Sequence, residues 1–213
     1  MSKPRVLIAD DHRILAEGLR SLLEPEFEVV ELVADGRELV AAAKRLQPDV
    51  IVADVAMPSL NGIEAADRLR ELGVTTKVVF LTMHHDVAYA RRAMQAGAVG
   101  FVLKHSAADE LVTAVREALH GRTYVTPLIA GELLRSYRDD EAAPGDPAGR
   151  LTSRQREVLQ LYAEGRSAKE VAAVLTISIR TAEAHKARIL EALELRSTAD
   201  LVQYAIRTGI ISV

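Results

Sequence analysis

Short apolar runs alternate with amphipathic segments along the first 120 residues. Five runs are rich in β-branched residues and too short for helices, so they predict strands, at residues 5–9, 28–33, 49–53, 77–81 and 99–103. After each run, apolar residues recur at helical spacing, near residues 14–23, 39–46, 63–72, 87–94 and 111–119. This repeated alternation predicts a doubly wound α/β domain with a parallel five-stranded sheet and helices on both faces.

The pattern after Leu151 is purely helical. Residues 152–155 (TSRQ) and 167–170 (SAKE) both have the form of a capping box, which predicts two short helices in close succession. Ser178 is placed to cap a third helix over residues 179–193, and residues 199–208 predict a fourth. Two short helices joined by a tight turn predict a helix-turn-helix motif.

The segment between these two patterns has its own character. Leu128, Ile129, Leu133 and Leu134 recur at roughly helical intervals and predict a short helix. Residues 139–149 (DDEAAPGDPAG) combine acids, prolines and glycines without a large apolar residue, which is typical of a linker. We therefore predict an α/β domain over residues 1–122, a linker with a short helix over 123–149, and an all-α domain over 150–213.

Composition narrows the possible functions. The chain has no cysteine, which excludes disulfides, thiolate metal sites and cysteine catalysis. The apolar run near the N-terminus is too short for a signal peptide and no stretch is long enough to span a bilayer, so we expect a soluble cytoplasmic protein. Residues 150–213 contain ten Lys/Arg and seven Asp/Glu, a net charge of +3, which leaves −6 for the rest of the total of −3. The two parts are therefore expected to bind different partners.

Carboxylates stand at the ends of two predicted strands. Asp10 and Asp11 follow the first strand, and Asp54 follows the apolar run VIVA of the third. In the flavodoxin-like strand order 2-1-3-4-5 these strands are neighbours, so the three carboxylates meet at the point where strand order reverses. Such close like charges call for a counter-ion, and Mg²⁺ suits a few carboxylates together with a phosphate oxygen. The sequence thus predicts a metal site that receives a phosphoryl group.

Two further polar residues end strands of the same sheet. Thr82 follows the fourth strand and Lys104 the fifth, so a hydroxyl and an ammonium could hold a phosphoryl oxygen. Phe101, within the fifth strand, is as consistent with a core aromatic as with a mobile role. His12, His84 and His85 lack a paired ligand spacing, so we do not predict a zinc site.

The third helix of the C-terminal part has a polar side suited to DNA. Its polar arc would enter the major groove, where arginine reads guanine and glutamate accepts from cytosine. Phosphate contacts would set the position of the helix on the duplex. An ordinary solvated helix face remains the alternative. The candidate DNA-binding residues are Lys169, Arg180, Thr181, Glu183, Ala184, His185, Lys186, Ala187 and Arg188.

Five motifs in the first 104 residues together resemble the receiver domain of two-component response regulators. They are Asp10-Asp11, Asp54 with Met57-Pro58, Asn61-Gly62, Leu81-Thr82, and Gly97-Ala98-x-Gly100-Phe101-x-x-Lys104. The resemblance implies that Asp54 accepts a phosphoryl group from a histidine kinase. It also implies Mg²⁺ ligands in Asp11, Asp54 and the carbonyl of Ala56, with Asp10 acting through water. Thr82 and Phe101 would form a switch pair, and Lys104 would contact the phosphoryl group.

The C-terminal motifs resemble the LuxR-type helix-turn-helix. They are LTSRQREVL at 151–159, GRSAKEVA at 165–172, Ile177-Ser178, TAEAH at 181–185 and YAIRTG at 204–209. With the receiver-like part in front, the chain resembles the NarL/FixJ family of transcription regulators. This implies binding to double-stranded DNA as a homodimer, with residues 199–208 as the dimer contact. Glu191-Ala192 departs from a basic pair that is common in the family, so we expect modest DNA affinity.

The resulting hypothesis is a phosphorylation-regulated DNA-binding transcription regulator and not an enzyme. One rival is a Mg²⁺-dependent phosphohydrolase with an aspartyl intermediate. Such enzymes often carry a second acid two residues after the nucleophile, where this chain has Ala56. Another rival is a regulator that binds DNA constitutively, with a vestigial receiver. The intact acids, Thr82 and Lys104 argue against it.

Overall fold

A parallel sheet forms the N-terminal part of the protein in the computed structural model, which describes residues 2–83, 85, 87–139, 151–208 and 210–211. Its strands are β1 (Arg5–Ala9), β2 (Glu28–Val33), β3 (Val50–Asp54), β4 (Lys77–Thr82), β5 (Gly100–Leu103) and β6 (Tyr124–Val125). They lie in the order β2-β1-β3-β4-β5-β6. The predicted order 2-1-3-4-5 is confirmed, and β6 is a sixth, two-residue edge strand that the sequence pattern did not predict.

Helices cover both faces of this sheet. They are α1 (Arg13–Leu23), α2 (Gly36–Leu46), α3 (Gly62–Glu71), α4 (Val87–Gln95) and α5 (Ala107–Leu119). Residues of α1 and α5 belong to the apolar cluster on one face, and residues of α2, α3 and α4 to the cluster on the other. Val50, Ile51, Val52 and Ala53 of β3 are all fully buried and alternate between these two clusters. This explains why β3 is a continuous apolar run.

The segment after α5 extends this domain. β6 pairs with β5, and Thr126 N donates to the carbonyl of Phe101 at 2.9 Å. The following helix, α6 (Pro127–Asp139), contributes Ile129 and Leu133 to the core on the side of α4. The predicted helix in this segment is therefore present. Residues 140–149 of the predicted linker lie outside the described residues.

The C-terminal part is a four-helix unit around its own apolar core. Its helices are α7 (Ser153–Ala163), α8 (Ala168–Leu175), α9 (Ile179–Ala192) and α10 (Thr198–Arg207). Thr152 and Ser167 form complete capping boxes, and Ser178 caps α9 by accepting from Thr181 N. Ser106 precedes α5 but does not cap this helix through its side chain. A 3-10 turn precedes α5, and the Ser106 hydroxyl donates to the carbonyl of Leu103 instead.

Among the described residues, no helix is both long enough and apolar enough to cross a membrane.

Candidate functional site

An acidic cluster lies where β1 and β3 end side by side. Ala9 pairs with Ala53 in the register of these strands, so the residues that follow them emerge together. Asp10, Asp11, His12 and Asp54 each place one ligand atom within 4.8 Å of all the others. Asp10 and Asp54 are almost fully buried, whereas Asp11 is exposed. The structure thus brings the three predicted carboxylates into one site.

Lys104 supplies positive charge inside this cluster. Its Nζ lies 2.7 Å from Asp10 Oδ2 and 2.6 Å from Asp54 Oδ2, and its side chain is only 5% exposed. Burial alone lowers the pKa of Lys104, but the two carboxylates outweigh this and raise it above its ordinary value. The lysine is therefore charged at neutral pH. Part of the charge that we assigned to a metal counter-ion is thus already present as an ammonium.

The Asp54 carboxyl has a strongly shifted pKa. Burial raises it from 3.8 to about 6, against the opposing effect of the Lys104 ammonium, and the nearby Asp10 raises it further. Ala56 N donates to Asp54 Oδ1 at 3.2 Å, which partly stabilises the ionised form. Asp54 is thus a carboxylate at neutral pH that is costly to keep ionised without additional positive charge.

The pKa of Asp54 predicts a pH dependence of stability. Because this pKa rises on folding, the folded protein binds a proton more tightly than the unfolded chain between pH 3.8 and about 6. The associated stability is fully present below this window and is lost as pH rises through it. Without metal, wild type should lose up to roughly 3 kcal/mol relative to Asp54→Asn from the bottom of the window to neutral pH. Urea unfolding in EDTA across this range measures the difference, and parallel curves for both proteins would contradict it.

His12 joins the cluster as a hydrogen-bonding residue. Its Nδ1 lies 2.9 Å from Asp11 Oδ1 and 3.2 Å from Asp10 Oδ1. The backbone N of His12 also donates to Asp10 Oδ1 at 2.8 Å. The ring is largely exposed, which suits a role in orienting the two acids rather than in closing the site. Its sequence position beside Asp10-Asp11 could have suggested this contact.

The donor set of the cluster fits a hard divalent cation. All three acids offer carboxylate oxygens, the ligands that Mg²⁺ prefers. A cavity of about 190 Å³ lies beside them, lined by Asp11, Ala56, Met57, Pro58, Glu164 and Ile211. Ala56 therefore borders the same space as Asp11. The residues present are consistent with a magnesium site.

The two predicted switch residues are both buried. Thr82 ends β4 and is 1% exposed, and Phe101 lies in β5 and is fully buried. Phe101 belongs to the core cluster that also contains Tyr89 of α4 and Ile129 of α6. Phe101 is therefore already turned inward, as a core aromatic, in this structure. A change at this residue would instead act on the packing of α4 and α6.

The loop after Asp54, residues 55–61, is held by close backbone contacts. We call it the acceptor loop. Gly62 N donates to the carbonyl of Val55 at 2.9 Å, and the Asn61 side chain caps α3 by accepting from Glu64 N. A Cβ at Gly62 would stand 2.1 Å from the Asp54 carbonyl oxygen. Only glycine therefore allows α3 to begin against the strand end that carries Asp54.

The C-terminal unit contacts the acceptor loop directly. Gln160 of α7 is fully buried, and its side chain bonds to the backbone of Met57 and Asn61. Glu164 accepts from Ser59 N at 2.8 Å. Sequence reasoning missed both residues. A polar residue inside the apolar run Val158-Leu159-Gln160-Leu161-Tyr162 was the available signal.

A buried ionic group forms a second connection between the two parts. Glu64 of α3 accepts from Arg92 of α4 at 2.7 Å and from Arg156 of α7 at 2.6 Å, both through Oε1. Burial raises the pKa of Glu64 although both guanidinium groups oppose the shift. The helix that follows Thr82 is thus linked through Glu64 to the first helix of the C-terminal unit.

The predicted DNA-binding residues lie on exposed parts of α8 and α9. His185 and Lys186 are half-buried, and the Lys186 ammonium stands 4.8 Å from the centre of the Tyr162 ring. Burial and the nearby Arg154 and Arg188 lower the pKa of His185, so its ring is neutral at pH 7. The fully exposed candidates are Lys169, Arg180, Thr181, Glu183, Ala184, Ala187 and Arg188.

Comparison with known proteins agrees with both parts of this architecture. "Response regulator receiver domain" matches residues 6–116, and "Bacterial regulatory proteins, luxR family" matches residues 149–205. The chain therefore belongs to the two-component response regulators that join a receiver domain to a LuxR-type DNA-binding domain.

Individual relatives are similar over nearly their whole length. Oxygen regulatory protein NreC of Staphylococcus carnosus is 34% identical over 97% of this chain and 99% of the relative. Transcriptional regulatory protein DegU of Brevibacillus brevis is 33% identical over 100% and 97%. A structure of the Salmonella typhimurium RcsB response regulator is 25% identical, covers 100% of both chains and has a TM-score of 0.67. An RcsB–DNA complex is 25% identical, covers 99% of this chain and 100% of that chain, and has a TM-score of 0.59.

Proposed function

We propose that Asp54 accepts a phosphoryl group from a histidine kinase and that this modification controls binding of the C-terminal domain to promoter DNA. The observation that carries the proposal is the buried pair of Asp54 and Lys104 within an acidic cluster at the ends of parallel strands. On the same chain, helix α9 exposes the side chains of Arg180 and Arg188. We propose that residues 1–122 form the receiver and residues 150–213 the DNA-binding domain, joined by residues 123–149, of which β6 and α6 pack on the receiver.

The acceptor in the phosphoryl transfer is the ionised Asp54 carboxylate. An Asp54 oxygen forms a bond to phosphorus while the bond from phosphorus to the donor nitrogen breaks. That nitrogen keeps the electron pair, and the donor ring, protonated on its other nitrogen, leaves as neutral imidazole. Lys104 stands 2.6 Å from Asp54 Oδ2 and can offset the charge on the transferred oxygens. Asp11, Asp54 and the Ala56 carbonyl would hold Mg²⁺, with Asp10 acting through water. When bound, the ion supplies further positive charge for the phosphoryl oxygens.

In this proposal the receiver accepts one phosphoryl group and does not turn over a substrate as an enzyme does. Ala56 stands two residues after Asp54 and has no titratable side chain, so no acid or base is offered at that position. We place the protein in the cytoplasm because its proposed partners, a kinase phosphoryl donor and genomic DNA, are accessible there.

Thr82 and Phe101 are the proposed switch pair. Phe101 packs in one core cluster with residues of α4 and α6, and this packing would transmit the change.

The DNA-binding face is proposed on the exposed arc of α9. Arg180, Glu183, Ala184 and Ala187 would face bases, whereas Thr181, Arg188 and Lys169 would contact phosphates. His185 is neutral at pH 7 and can donate a hydrogen bond without adding charge. Lys186 remains a candidate phosphate contact beside Tyr162.

The protein is proposed to bind DNA as a homodimer through α10. Ile206, at 39% exposure, is a large apolar residue on the outer side of this helix. The solved structures of RcsB include two dimers bound to two parallel DNAs. A dimer would present two copies of α9 to two half-sites of double-stranded DNA.

Arg188→Ala tests the proposed DNA face. Because Arg188 is exposed on α9 and would neutralise one phosphate, its loss should weaken binding to all sequences about tenfold. It should also reduce the slope of log affinity against log salt by about one. Fluorescence anisotropy with labelled duplex from the region upstream of the protein's own gene measures both quantities.

Arg45→Ala is the matched control for this change. It removes the same charge from an exposed arginine on α2, far from α9 in the chain, where it pairs with Glu31. The control should leave the affinity and the salt slope unchanged. Equal losses for Arg45→Ala and Arg188→Ala would show that only net charge matters and would contradict the proposed face.

A further inference from the structure

The side chain of Gln160 spans the acceptor loop from the other domain. Its Nε2 donates to the Met57 carbonyl at 2.7 Å, and its Oε1 accepts from Asn61 N at 2.8 Å. Nε2 also donates to Glu164 Oε1 at 2.9 Å. The amide therefore satisfies a buried acceptor and a buried donor of one loop simultaneously, an arrangement that a longer or shorter side chain would not reproduce.

Ser59 is held by the same domain at the centre of the loop. Its φ of +65° lies in the left-handed region, which is unfavourable for a residue other than glycine. Ser59 N donates to Glu164 Oε1 at 2.8 Å, and its hydroxyl accepts from Arg166 Nη2 at 3.1 Å. Contacts from the DNA-binding domain thus support a loop conformation that the receiver alone would hold less firmly.

The docked domain also stands at the opening of the acidic cluster. Glu164 and Ile211 line the cavity of about 190 Å³ that Asp11 and Ala56 border from the receiver side. Any phosphodonor that approaches Asp54 from this cavity meets the Glu164 carboxylate. Arg166 Nε lies 3.2 Å from Glu164 Oε2 and offsets part of this negative charge, so the docked domain restricts the approach mainly by occupying space.

Docking leaves the proposed DNA-reading helix uncovered. Arg180, Ala184 and Arg188 of α9 are all exposed while Gln160 is buried against the receiver. The contacts between the two domains therefore restrict access to the phosphorylation site and leave the face proposed for DNA open.

We propose that Gln160 and Glu164 are positioning residues of the DNA-binding domain that restrain the acceptor loop and slow phosphorylation of Asp54 until the domains separate. This inference rests on the proposed function of Asp54. By linkage, if phosphorylation of Asp54 weakens the Gln160 contacts, then a change that loosens these contacts favours phosphorylation. The DNA-binding domain thereby sets the rate at which Asp54 of the receiver is phosphorylated.

The test follows the transfer of a phosphoryl group from acetyl phosphate to Asp54. With acetyl phosphate as donor, an Asp54 oxygen forms a bond to phosphorus while the bond between phosphorus and the acetate oxygen breaks. Acetate leaves with that electron pair, and no proton or further reactant is needed. The phosphorylated fraction of the full chain can be read as an increase in intact mass.

Gln160→Ala removes the restraint and leaves Met57 O and Asn61 N without partners unless the domains separate and water reaches them. We expect the initial rate of phosphorylation of the full chain by acetyl phosphate to rise by at least about fivefold. The Mg²⁺ concentration that gives half the maximal rate should shift as well. A merely structural role for Gln160 would change the melting temperature without changing either kinetic quantity.

Two further variants complete the test. Gln95→Ala removes an exposed amide from the end of α4, away from the contact with the C-terminal domain, and should behave as wild type. Glu164→Gln keeps an acceptor for Ser59 N but removes the ion pair with Arg166, whose guanidinium also bonds to the Ser59 hydroxyl, and so loosens the hold on the loop. It should also accelerate phosphorylation, which preserves the test if Gln160→Ala does not fold.

The outcomes separate this inference from the proposed function. If wild type becomes phosphorylated and neither Gln160→Ala nor Glu164→Gln reacts faster, the restraint is disproved while the function of Asp54 stands. If wild type and Gln160→Ala both remain unphosphorylated, the proposed function itself fails.

Discussion

Phosphorylated full-length protein is expected to bind DNA from its own upstream region at least about tenfold more tightly than the unmodified protein. The phosphoryl group would add about −1.5 to −2 charges at neutral pH, if it resembles other phosphoryl groups. This charge would arise beside Asp10 and Asp11 and near Glu164, which borders the same cavity. Repulsion of Glu164 would weaken the contact between α7 and the acceptor loop, so the domains would separate and become free to pair on DNA.

Asp54→Asn should remove this response. The amide cannot form the acyl phosphate, so its DNA affinity should be the same with and without acetyl phosphate. Asp109→Asn, which changes an exposed carboxylate near the start of α5, should respond as wild type does. Equal affinity of wild type with and without a confirmed phosphoryl group would instead support constitutive DNA binding, for which the exposure of α9 already provides a route.

Gly62→Ala is expected to have a large effect for the addition of a single methyl group. Its Cβ would stand 2.1 Å from the Asp54 carbonyl oxygen and 3.1 Å from a ring carbon of Phe80, so α3 or the end of β3 must shift. We expect a loss of about 3 kcal/mol in the free energy of unfolding. Phosphorylation by acetyl phosphate should be nearly abolished, because the shift displaces Asp54 and the acceptor loop together.

Gly18→Ala is the matched control for this substitution. A Cβ at Gly18 of α1 meets nothing within 4 Å, and alanine favours helices over glycine, so this variant should be up to about 1 kcal/mol more stable. Urea unfolding measures both variants. If Gly62→Ala were as stable as Gly18→Ala, the close approach of α3 to Asp54 would be disproved.

The sequence predicted the sheet well because its signals are local. Residues 50–53 of β3 are buried between the two core clusters, so each of them had to be apolar, and the run VIVA followed directly. The strand order followed from the resemblance and from the rules of parallel sheets. β6 was missed because two residues, Tyr124 and Val125, carry no periodicity, and pairing with β5 alone makes them a strand.

The acidic cluster was accessible from sequence because strand ends of a parallel sheet converge. The ion pairs of Lys104 were not, because their geometry depends on how far a long side chain reaches back across the sheet. The pKa of Asp54 is likewise a property of burial, which no local pattern reports.

The contact between the two domains was the main feature that sequence reasoning missed. Capping boxes predicted where α7 and α8 begin, but no periodic pattern states which surface meets another domain. Gln160 alone broke the apolar pattern of α7. Its partners are backbone atoms of Met57 and Asn61, and backbone groups leave no trace in side-chain composition.

The central claim, that Asp54 is the phosphoacceptor, is tested most directly by intact-mass measurement of wild type and Asp54→Asn after incubation with acetyl phosphate and Mg²⁺. Wild type should gain the mass of one phosphoryl group, lose it on treatment with hydroxylamine, which cleaves acyl phosphates, and show it on the peptide that contains Asp54. Asp54→Asn should gain nothing. The same gain in both proteins, or none in wild type, would contradict the account.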